Sequence, residues 1–519
     1  MTFKPIARLL KRKEKEDTMG RNKTKISWIV AIIILGAMFI RLPFLDLYRF
    51  EHEMVRDISH SEKILNGEFL LRGVYGNLQE DSPQQSFGPL MYYLIAGSLL
   101  LAPNEYWYPL MPSILVMVLI LGAVWLCYRF GKEFFNKFVG LTAAALFAFS
   151  PWFVLHVSTY SSNPNYLPFF IMAFIYFLAK VIVQQKDKYI LPSFIALALA
   201  TQFHLASLII FPFLVAAIFI WRRDLFKKKV FYKAVGITAI LYIPYLIYII
   251  KTNSWGSLFT FAAARYPSAL PTVIVESLGT PIMYVTPYLS TYLLGTIKIM
   301  QNVVYLITSL IVGGMVYAVS LLGYNILKNK GKEKTTAFIF LWWIIPVLVF
   351  IIIGKNISPH FFIIVLPAQF LIAAIALQKM YQKYTKTTLF VVSAILLFYI
   401  FFILKVYAVV DENGGTDRIF GIPYKYRVQV VQEIAKDTTT PTIVYYRADK
   451  RNMNWLFTHL GLTPTYKYIR SLDEFKEGYL IFDDYDFYSY SDKALSQEEK
   501  EKVKSEPRTT IKHINIIHR

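Results

Sequence analysis

Repeated apolar runs of roughly 18–25 residues constrain this chain more than any other feature of its sequence. A run of that length crosses a bilayer only as a helix, because its backbone N–H and C=O groups must bond within the segment. Hydrophobic residues make up 55% of the 519 residues and charged residues only 17%. The sequence therefore predicts a multi-pass integral membrane protein. Its first run lacks the small-residue cleavage site of a signal peptide, so we expect it to remain as an anchor.

Eleven segments have the length and composition of a membrane-spanning helix. They lie at 26–44, 108–127, 138–156, 165–183, 190–204, 205–221, 231–250, 302–326, 336–353, 361–378 and 388–406. We interpret the shorter apolar stretch at 88–102 as an interfacial or re-entrant helix, and the stretch at 281–297 as a further candidate crossing. Together they predict an all-α polytopic membrane bundle of about 11–13 transmembrane helices.

Lysine and arginine are concentrated on one predicted side of the membrane. They occupy the N-terminal arm and the loops that hold Arg129, Lys132, Lys137, Lys186, Lys188, Arg222, Arg223, Lys227–Lys229, Lys328, Lys330, Lys332, Lys334, Lys379, Lys383 and Lys386. This bias predicts a cytoplasmic N-terminus and, with eleven spans, an extracytoplasmic C-terminus. In a prokaryote the membrane would be the plasma or inner membrane. Much of the net charge of +21 is therefore topological, and no nucleic-acid partner is expected.

Three segments outside the predicted spans are long enough to form structure of their own. The first is a large external loop at 45–107, the second is the loop at 251–301, and the third is the tail at 407–519. The second is rich in aromatic residues and prolines, so it is predicted to be irregular or briefly helical, either as a cover for a site or as a connector. The chain thus divides into a basic cytoplasmic arm at 1–25, a transmembrane domain at 26–406 and the tail.

The tail is predicted to be a small soluble α/β domain on the extracytoplasmic side, because strands alternate with helices in its sequence. Helices are predicted at Tyr426–Lys436 and Asn452–Leu460, and strands at Pro441–Tyr446, Thr465–Ile469, Tyr479–Phe482 and Thr510–Ile517. It has no nucleotide-phosphate loop and no metal-ligand spacing.

Carboxylates and an arginine come together just after the first predicted span. In a helix, Glu53 and Asp57 share a face, and Arg56 lies within reach of Glu53. Ionisable groups beside lipid are costly, so they indicate function by default. An ionised carboxylate here would accept a proton from a hydroxyl nucleophile or help to bind a divalent cation. The alternative is an amphipathic surface helix with ordinary solvated charges.

Other candidates are weaker one by one, since a lone histidine is more often a hydrogen-bonded packing residue than a ligand. They are His156, Asn163, Gln202, His204, Arg265, Lys355 and His360. The cationic and imidazole groups among them fall on the same predicted side of the membrane as Glu53 and Arg56. Such groups suit phosphate oxygens, with arginine as a fork and lysine as a point charge.

The motifs around these residues resemble the glycosyltransferase C superfamily. Specifically, they are similar to the branch that contains protein O-mannosyltransferases and bacterial aminoarabinose transferases, which is glycosyltransferase family 39-like. The resemblance rests on Glu53-Met54-Val55-Arg56-Asp57, Ile64-Leu65-Asn66-Gly67, Gly88-Pro89-Leu90-Met91-Tyr92-Tyr93, Phe149-Ser150-Pro151, Asn163-Pro164-Asn165, Gln202-Phe203-His204 and Pro359-His360-Phe361-Phe362. These motifs occur in family order and cover most of 26–406. Two positions depart from the family, whose catalytic acid is usually aspartate rather than Glu53 and which usually has a basic or imidazole residue where Phe87 stands.

The resemblance implies transfer of a sugar from a polyprenyl-phosphate-linked donor to a protein, lipid or glycan acceptor at the extracytoplasmic face of the lipid bilayer, with inversion. Glu53 would act as base, Arg56 would orient it and Asp57 would support the local network. The substrate-binding residues implied are Gly88, Pro89, Tyr92, Asn163, Gln202, His204, Arg265, Lys355 and His360. No cofactor or metal is required by this proposal, and a divalent cation is kept as an alternative.

Two other functions compete with this interpretation. A transporter or flippase of a lipid-linked sugar would also use buried charge, but it predicts functional charges near the bilayer midplane and inverted repeats, and the sequence has neither. The second alternative is a catalytically inactive scaffold of the same fold, which the replacement of aspartate by Glu53 would permit.

Overall fold

The computed structural model describes most of the chain. The described residues are 28–50, 52–73, 88–158, 160–253, 269–291, 294, 298–328, 333–354, 359–416, 421–446, 451–469, 474–483, 506–512 and 514–519. They form a helical bundle followed by a small domain with one sheet. The predicted fold class, a helical multi-pass membrane protein with a small C-terminal α/β domain, is confirmed.

Fifteen helices of ten or more residues make up most of the described part of the bundle. In chain order they are α1 Trp28–Leu47, α2 His52–Leu65, α3 Leu90–Leu99, α4 Met111–Phe134, α5 Lys137–Ala148, α6 Leu167–Ile182, α7 Ile190–Phe203, α8 Phe211–Trp221, α9 Lys229–Leu241, α10 Ile243–Thr252, α11 Leu270–Met283, α12 Gln301–Lys328, α13 Lys334–Ile353, α14 Leu366–Lys383 and α15 Thr385–Asn413. The last turns of α1, from Leu42 to Leu47, are 3-10 helix.

Within the described ranges, six helices are long and apolar enough to cross a membrane. They are α1, α4 with its preceding turn, α6 with its preceding turn, α12, α13 and α15. Helices α9 and α10 meet at a bend of 52° and form a seventh crossing if they count as one span. The other predicted spans coincide with the shorter helices α5, α7 and α8 and with α14, so the number of crossings beyond seven stays a prediction.

The two shorter apolar stretches, at 88–102 and 281–297, are only partly helical. The stretch at 88–102 contains the ten-residue helix α3, as expected for a segment too short to span. The stretch at 281–297 begins with the end of α11 and has no long apolar helix among its described residues. The prediction that 251–301 is irregular or briefly helical is wrong for α11, which runs for 14 residues.

Glycines bring α4 and α5 into backbone contact. A Cβ atom at Gly131 would lie 2.6 Å from the Cα of Gly140, and one at Gly140 would lie 2.7 Å from the carbonyl oxygen of Tyr128. The turn between the helices is capped by Asn136, whose side chain accepts the N–H of Val139 at 3.1 Å. In lipid such small residues matter, because helix association relies on close packing rather than on burial from water.

Gly140→Ala is therefore expected to lower the Tm of the protein in detergent, since the added methyl group meets backbone that cannot rotate away. Overpacking of this kind costs about 1–3 kcal/mol. Gly313→Ala in α12 is the matched control, because nothing lies within 4 Å of its Cβ position. The control should be neutral or stabilising, since alanine is the better helix former. Equal effects of the two substitutions would contradict the close contact.

Arg41 joins the end of α1 to the loop that follows α5. Its guanidinium donates to the Ser158 hydroxyl at 2.9 Å, to the Ala148 carbonyl at 3.0 Å and to the Ala37 carbonyl at 2.7 Å. Only 2% of Arg41 is exposed, so these bonds satisfy a buried charge. They place the chain just after α1 next to the residues around Ser158.

The described residues of the C-terminal domain form a mixed sheet and two helices. Its elements are α16 Tyr424–Ala435, β1 Thr442–Tyr446, α17 Arg451–His459, β2 Thr465–Ile469, β3 Tyr479–Asp483, β4 Arg508–Ile511 and β5 Ile514–His518. The strand order is β2-β1-β3-β5-β4, and β1 is parallel to both of its neighbours while β5 is antiparallel to β3 and β4.

Most elements of this domain were predictable from local patterns. The prediction of one strand at Thr510–Ile517 is wrong, because the segment forms the end of β4, a turn and β5. Lys512 adopts a φ of 58° at this turn, which reverses the chain. Helix α15 extends to Asn413, and the domain boundary at 406 stays a prediction.

Candidate active site

Helix α2 presents the predicted carboxylate cluster. Its apolar side, with Met54 and Ile58 at 1% exposure, packs into the core of the protein, and the helix lies against α3. Glu53 stands in its first turn, and its Oε2 accepts a hydrogen bond from the Tyr160 hydroxyl. Tyr160 follows the π-helix Phe153–Val157, so the bond joins α2 to the loop after α5.

Arg56 is held by its neighbour Asp57. The Arg56 Nη2 lies 2.8 Å and its Nε 2.9 Å from the Asp57 Oδ1. In the structure, the hydrogen bond that orients Glu53 comes from Tyr160, whereas the sequence predicts that Arg56 orients it. Asp57 pairs with Arg56, and its supporting role in a site stays a prediction.

Asp57 is 3% exposed, and this burial has a consequence for its protonation. Burial raises the pKa of Asp57 to about 7, although Arg56 opposes the shift. The folded state therefore holds this proton more tightly than the unfolded chain does. The contribution of the protonated Asp57 carboxyl to the free energy of unfolding is largest at low pH. This contribution is lost as pH rises from about 4 to 7, by roughly 1.4 kcal/mol per pH unit.

We therefore expect Asp57→Asn to flatten the dependence of Tm on pH between pH 4 and pH 7. The wild-type Tm relative to the variant should fall as pH rises through this window and level off above about pH 7. Glu68→Gln, at an exposed position just after α2, is the control and should keep the wild-type profile. A constant difference between wild type and Asp57→Asn at all pH values would contradict the raised pKa.

Arg49 lies over the ring of Tyr160. Its guanidinium carbon is 4.6 Å from the centroid of the Tyr160 ring, a cation–π contact. The side chain of His156 lies within electrostatic reach of both Arg49 and His360. The Trp152 ring, 4.3 Å from the His156 ring, forms an aromatic wall beside it.

His204 and His360 come together although 156 positions separate them in the chain. Their ring centroids are 5.3 Å apart. His204 has extended backbone between α7 and the 3-10 helix Leu205–Ile210, and its Nδ1 accepts the N–H of Ala206 at 3.1 Å. His360 belongs to the 3-10 helix Pro359–Ile364. Arg49, His156, His204 and His360 thus form one cationic and imidazole cluster beside the Tyr160–Glu53 pair.

The remaining predicted residues surround this centre. A Cβ at Gly88 would lie 2.6 Å from the Cγ of Gln202, so the glycine lets Gln202 pack against the start of α3, which Pro89 caps. The Asn163 side chain donates to the Phe203 carbonyl at 3.2 Å, next to His204. Tyr92 stacks on His60 with centroids 5.1 Å apart. The predicted residues Arg265 and Lys355 lie outside the described residues, and so does Phe87.

No three His, Cys, Asp or Glu side chains come together as metal ligands in the part of the chain that the structure describes. Of the three histidines of the cluster, His204 and His360 are in ring contact, and His156 lies within electrostatic reach of His360. Independence from metal stays a prediction.

Sequence reasoning did not single out Arg49 and Tyr160, which lie close to the predicted residues Glu53 and His156. A basic residue directly after a span is usually a membrane anchor, and a tyrosine at the end of a span usually belongs to the interfacial aromatic belt. Neither position has a local sequence pattern that distinguishes a residue of a functional site from a membrane anchor or an interfacial aromatic residue. The only signal is their place within a few residues of Glu53 and His156.

Comparison with known proteins defines the class of this fold. Residues 82–248 match the family described as dolichyl-phosphate-mannose-protein mannosyltransferase. The structure of ArnT from Cupriavidus metallidurans bound to undecaprenyl phosphate superposes with a TM-score of 0.60 and 10% identity over 95% of this chain and 98% of that chain. ArnT from the same organism in the apo state gives 0.56 and 9% over 95% and 97%. No curated protein matches the chain in sequence.

An archaeal oligosaccharyltransferase shares the fold at a greater distance. AglB from Archaeoglobus fulgidus, in complex with an inhibitory peptide and a dolichol-phosphate, superposes with a TM-score of 0.51 and 12% identity over 86% of this chain and 65% of that chain. The chain thus has the fold of the membrane glycosyltransferases of the glycosyltransferase C superfamily. The predicted resemblance to its mannosyltransferase and aminoarabinose transferase branch is confirmed by the family match and by ArnT.

Proposed function

We propose that this protein transfers a sugar from a polyprenyl-phosphate-linked donor to an acceptor at the extracytoplasmic face of the membrane. The observation that carries the proposal is the adjacency of Glu53, held by Tyr160, to the cluster of Arg49, His156, His204 and His360. A carboxylate base and a phosphate-binding group are the two parts that such a displacement needs.

In the proposed reaction Glu53 accepts a proton from the acceptor hydroxyl or amine. The acceptor atom attacks the anomeric carbon, and the bond from that carbon to the phosphate oxygen breaks with its electron pair staying on the phosphate. The new bond forms on the face opposite the leaving group, so the anomeric centre is inverted. Arg49 and the imidazoles of the cluster stabilise the charge on the departing polyprenyl phosphate.

The comparisons support the lipid class of the donor. ArnT was solved with undecaprenyl phosphate and AglB with a dolichol-phosphate. The description of the matching family names dolichyl-phosphate-mannose as the donor and protein as the acceptor. For this chain we infer the shared chemistry, a polyprenyl phosphate, and leave the acceptor as a protein, lipid or glycan.

The charge of the predicted loops supports the proposed extracytoplasmic location. The Lys- and Arg-rich loops are predicted at the opposite ends of the spans from Glu53, and such a bias is typical of cytoplasmic loops. In this proposal Glu53, His204, His360 and the C-terminal domain share the outer side.

The test uses the purified full-length protein in lipid nanodiscs, with radiolabelled polyprenyl-phosphate sugars and membrane extracts as the acceptor source. We expect release of free polyprenyl phosphate and incorporation of label into acceptor, and EDTA should leave the rate unchanged. In vesicles, movement of intact lipid-linked sugar across the membrane without cleavage would instead indicate a transporter. Absence of cleavage across a panel of hexosyl and pentosyl donors would overturn the proposal.

A further inference from the structure

The segment between α1 and α2 has two faces. Tyr48 has extended backbone, with φ −71° and ψ 156°, and side chains along an extended segment alternate in direction. The rings of Tyr48 and Phe50 each lie 5.5 Å from the ring of Tyr424, which begins α16 in the C-terminal domain. The intervening Arg49 points the other way, to Tyr160.

The backbone of this segment is bonded to the C-terminal domain as well. The N–H of Tyr424 donates to the Tyr48 carbonyl at 3.1 Å, and Arg49 pairs with Pro423 in an isolated antiparallel bridge. The Tyr424 hydroxyl donates to the Tyr106 carbonyl at 3.0 Å. Tyr48, Phe50 and Tyr424 are all 0% exposed, so the junction is packed like a core rather than like a mobile domain contact.

Helix α17 extends the same junction to α2. The Trp455 ring lies 6.0 Å from Phe50, and α17 lies against α2. His459 stacks on Trp455 at 4.4 Å and shares a hydrogen bond of 3.0 Å with the Glu105 carbonyl. The C-terminal domain therefore holds both the segment that carries Arg49 and the helix that carries Glu53.

We propose that the C-terminal domain is a positioning element of the active site. Its aromatic clamp, defined as Tyr48, Phe50, Tyr106, Tyr424 and Trp455, fixes Arg49 against Tyr160 and so completes the phosphate-binding cluster. Because neighbouring side chains alternate, a rotation of the segment that frees Tyr48 and Phe50 also removes Arg49 from the cluster. The inference rests on the proposed function for its ligand and assigns Tyr424 the role of a positioning residue.

The first experiment measures the affinity of the full-length protein in nanodiscs for undecaprenyl phosphate. Tyr424→Leu is expected to raise the Kd about tenfold, in line with loss of a charge-assisted contact, whereas Tyr424→Phe keeps the ring and should stay near wild type. Phe457→Leu is the matched control, because Phe457 is also 0% exposed in the same domain. It should lower the Tm without changing the Kd.

A double-mutant cycle separates positioning from general destabilisation. In the Arg49→Ala background, Tyr424→Leu should have no further effect on the Kd, because the residue that the clamp positions is gone. Additive effects would overturn the inference, as would an equal rise in Kd for Phe457→Leu. If Tyr424→Leu does not fold, Trp455→Leu takes its place in the cycle.

Hydrogen exchange of backbone amides tests, without any ligand, whether the aromatic clamp holds the segment that carries Arg49. Tyr424→Leu should raise the exchange of backbone amides across 49–57, and Phe457→Leu should not. Failure of the unmutated protein to bind undecaprenyl phosphate would count against the proposed function while this exchange pattern still supported the clamp. Unchanged exchange in Tyr424→Leu would overturn the clamp whatever the protein binds.

Discussion

Glu53→Gln is expected to lower the kcat of sugar transfer by about 10³-fold, within the range that general-base catalysis supplies. Glutamine has nearly the same shape, and its amide oxygen can still accept the Tyr160 hydroxyl. It cannot take a proton from the acceptor. The affinity for undecaprenyl phosphate should stay within about twofold of the wild type, because in the proposed mechanism the phosphate meets the neighbouring cluster rather than Glu53.

Two further variants test whether the loss of activity in Glu53→Gln is due to the missing carboxylate. Glu53→Asp restores the acid that the family usually carries, but its carboxylate is one methylene shorter and draws back from Tyr160, so we expect an intermediate rate. Glu68→Gln removes an exposed carboxylate just after α2 and should keep the wild-type rate. Retention of more than half of the wild-type kcat by Glu53→Gln would remove Glu53 from the role of base.

Arg49→Ala is expected to weaken the binding of undecaprenyl phosphate by about 10- to 100-fold, since a hydrogen bond to a charged group contributes about 1.5–3 kcal/mol. The loss should appear as a higher KM for the lipid-linked donor. A smaller fall in kcat should accompany it, because the leaving phosphate also loses a stabilising charge. Isothermal titration in nanodiscs measures the first effect directly.

The controls for Arg49 distinguish charge from position. Arg49→Lys keeps the charge but loses the guanidinium fork, so it should recover part of the affinity. Arg72→Ala removes an arginine that donates to the Tyr248 hydroxyl at 3.1 Å instead of contacting Tyr160, and it should bind normally. Undecaprenol, which lacks the phosphate, should bind the wild type and Arg49→Ala alike. A matching loss of undecaprenol affinity would show that Arg49 supports the fold instead.

The carboxylate helix illustrates what local pattern can predict. The spacing of Glu53, Arg56 and Asp57 predicts that they share one helix, and α2 confirms it. The same spacing also predicts that Arg56 orients Glu53, yet Arg56 pairs with Asp57. Residues on one helix face compete for the same partner, and the sequence does not contain the rotamer that decides the competition.

In the C-terminal domain, too, local patterns predicted the elements but not the contacts between distant residues. Alternation and turn residues predicted five of its elements near their observed bounds, because strands and helices depend mainly on neighbouring residues. The turn at Lys512 has no glycine or asparagine to mark it, and so β4 and β5 were predicted as one strand. Nothing local indicated that Tyr424 would pack on Tyr48, hundreds of positions earlier.

Apolar length and loop charge are properties of composition along the chain, and they suffice to predict a helical membrane protein with a charged segment after its first span. They also predict that Glu53, His204 and His360 lie on one side of the membrane. Local patterns do not indicate that Tyr160 bonds Glu53, that Arg49 and His156 lie near His360, or that the C-terminal domain packs against the segment that carries Arg49; the folded chain shows these contacts. These contacts join residues on separate elements, and their geometry depends on how the helices pack in space rather than on any local period.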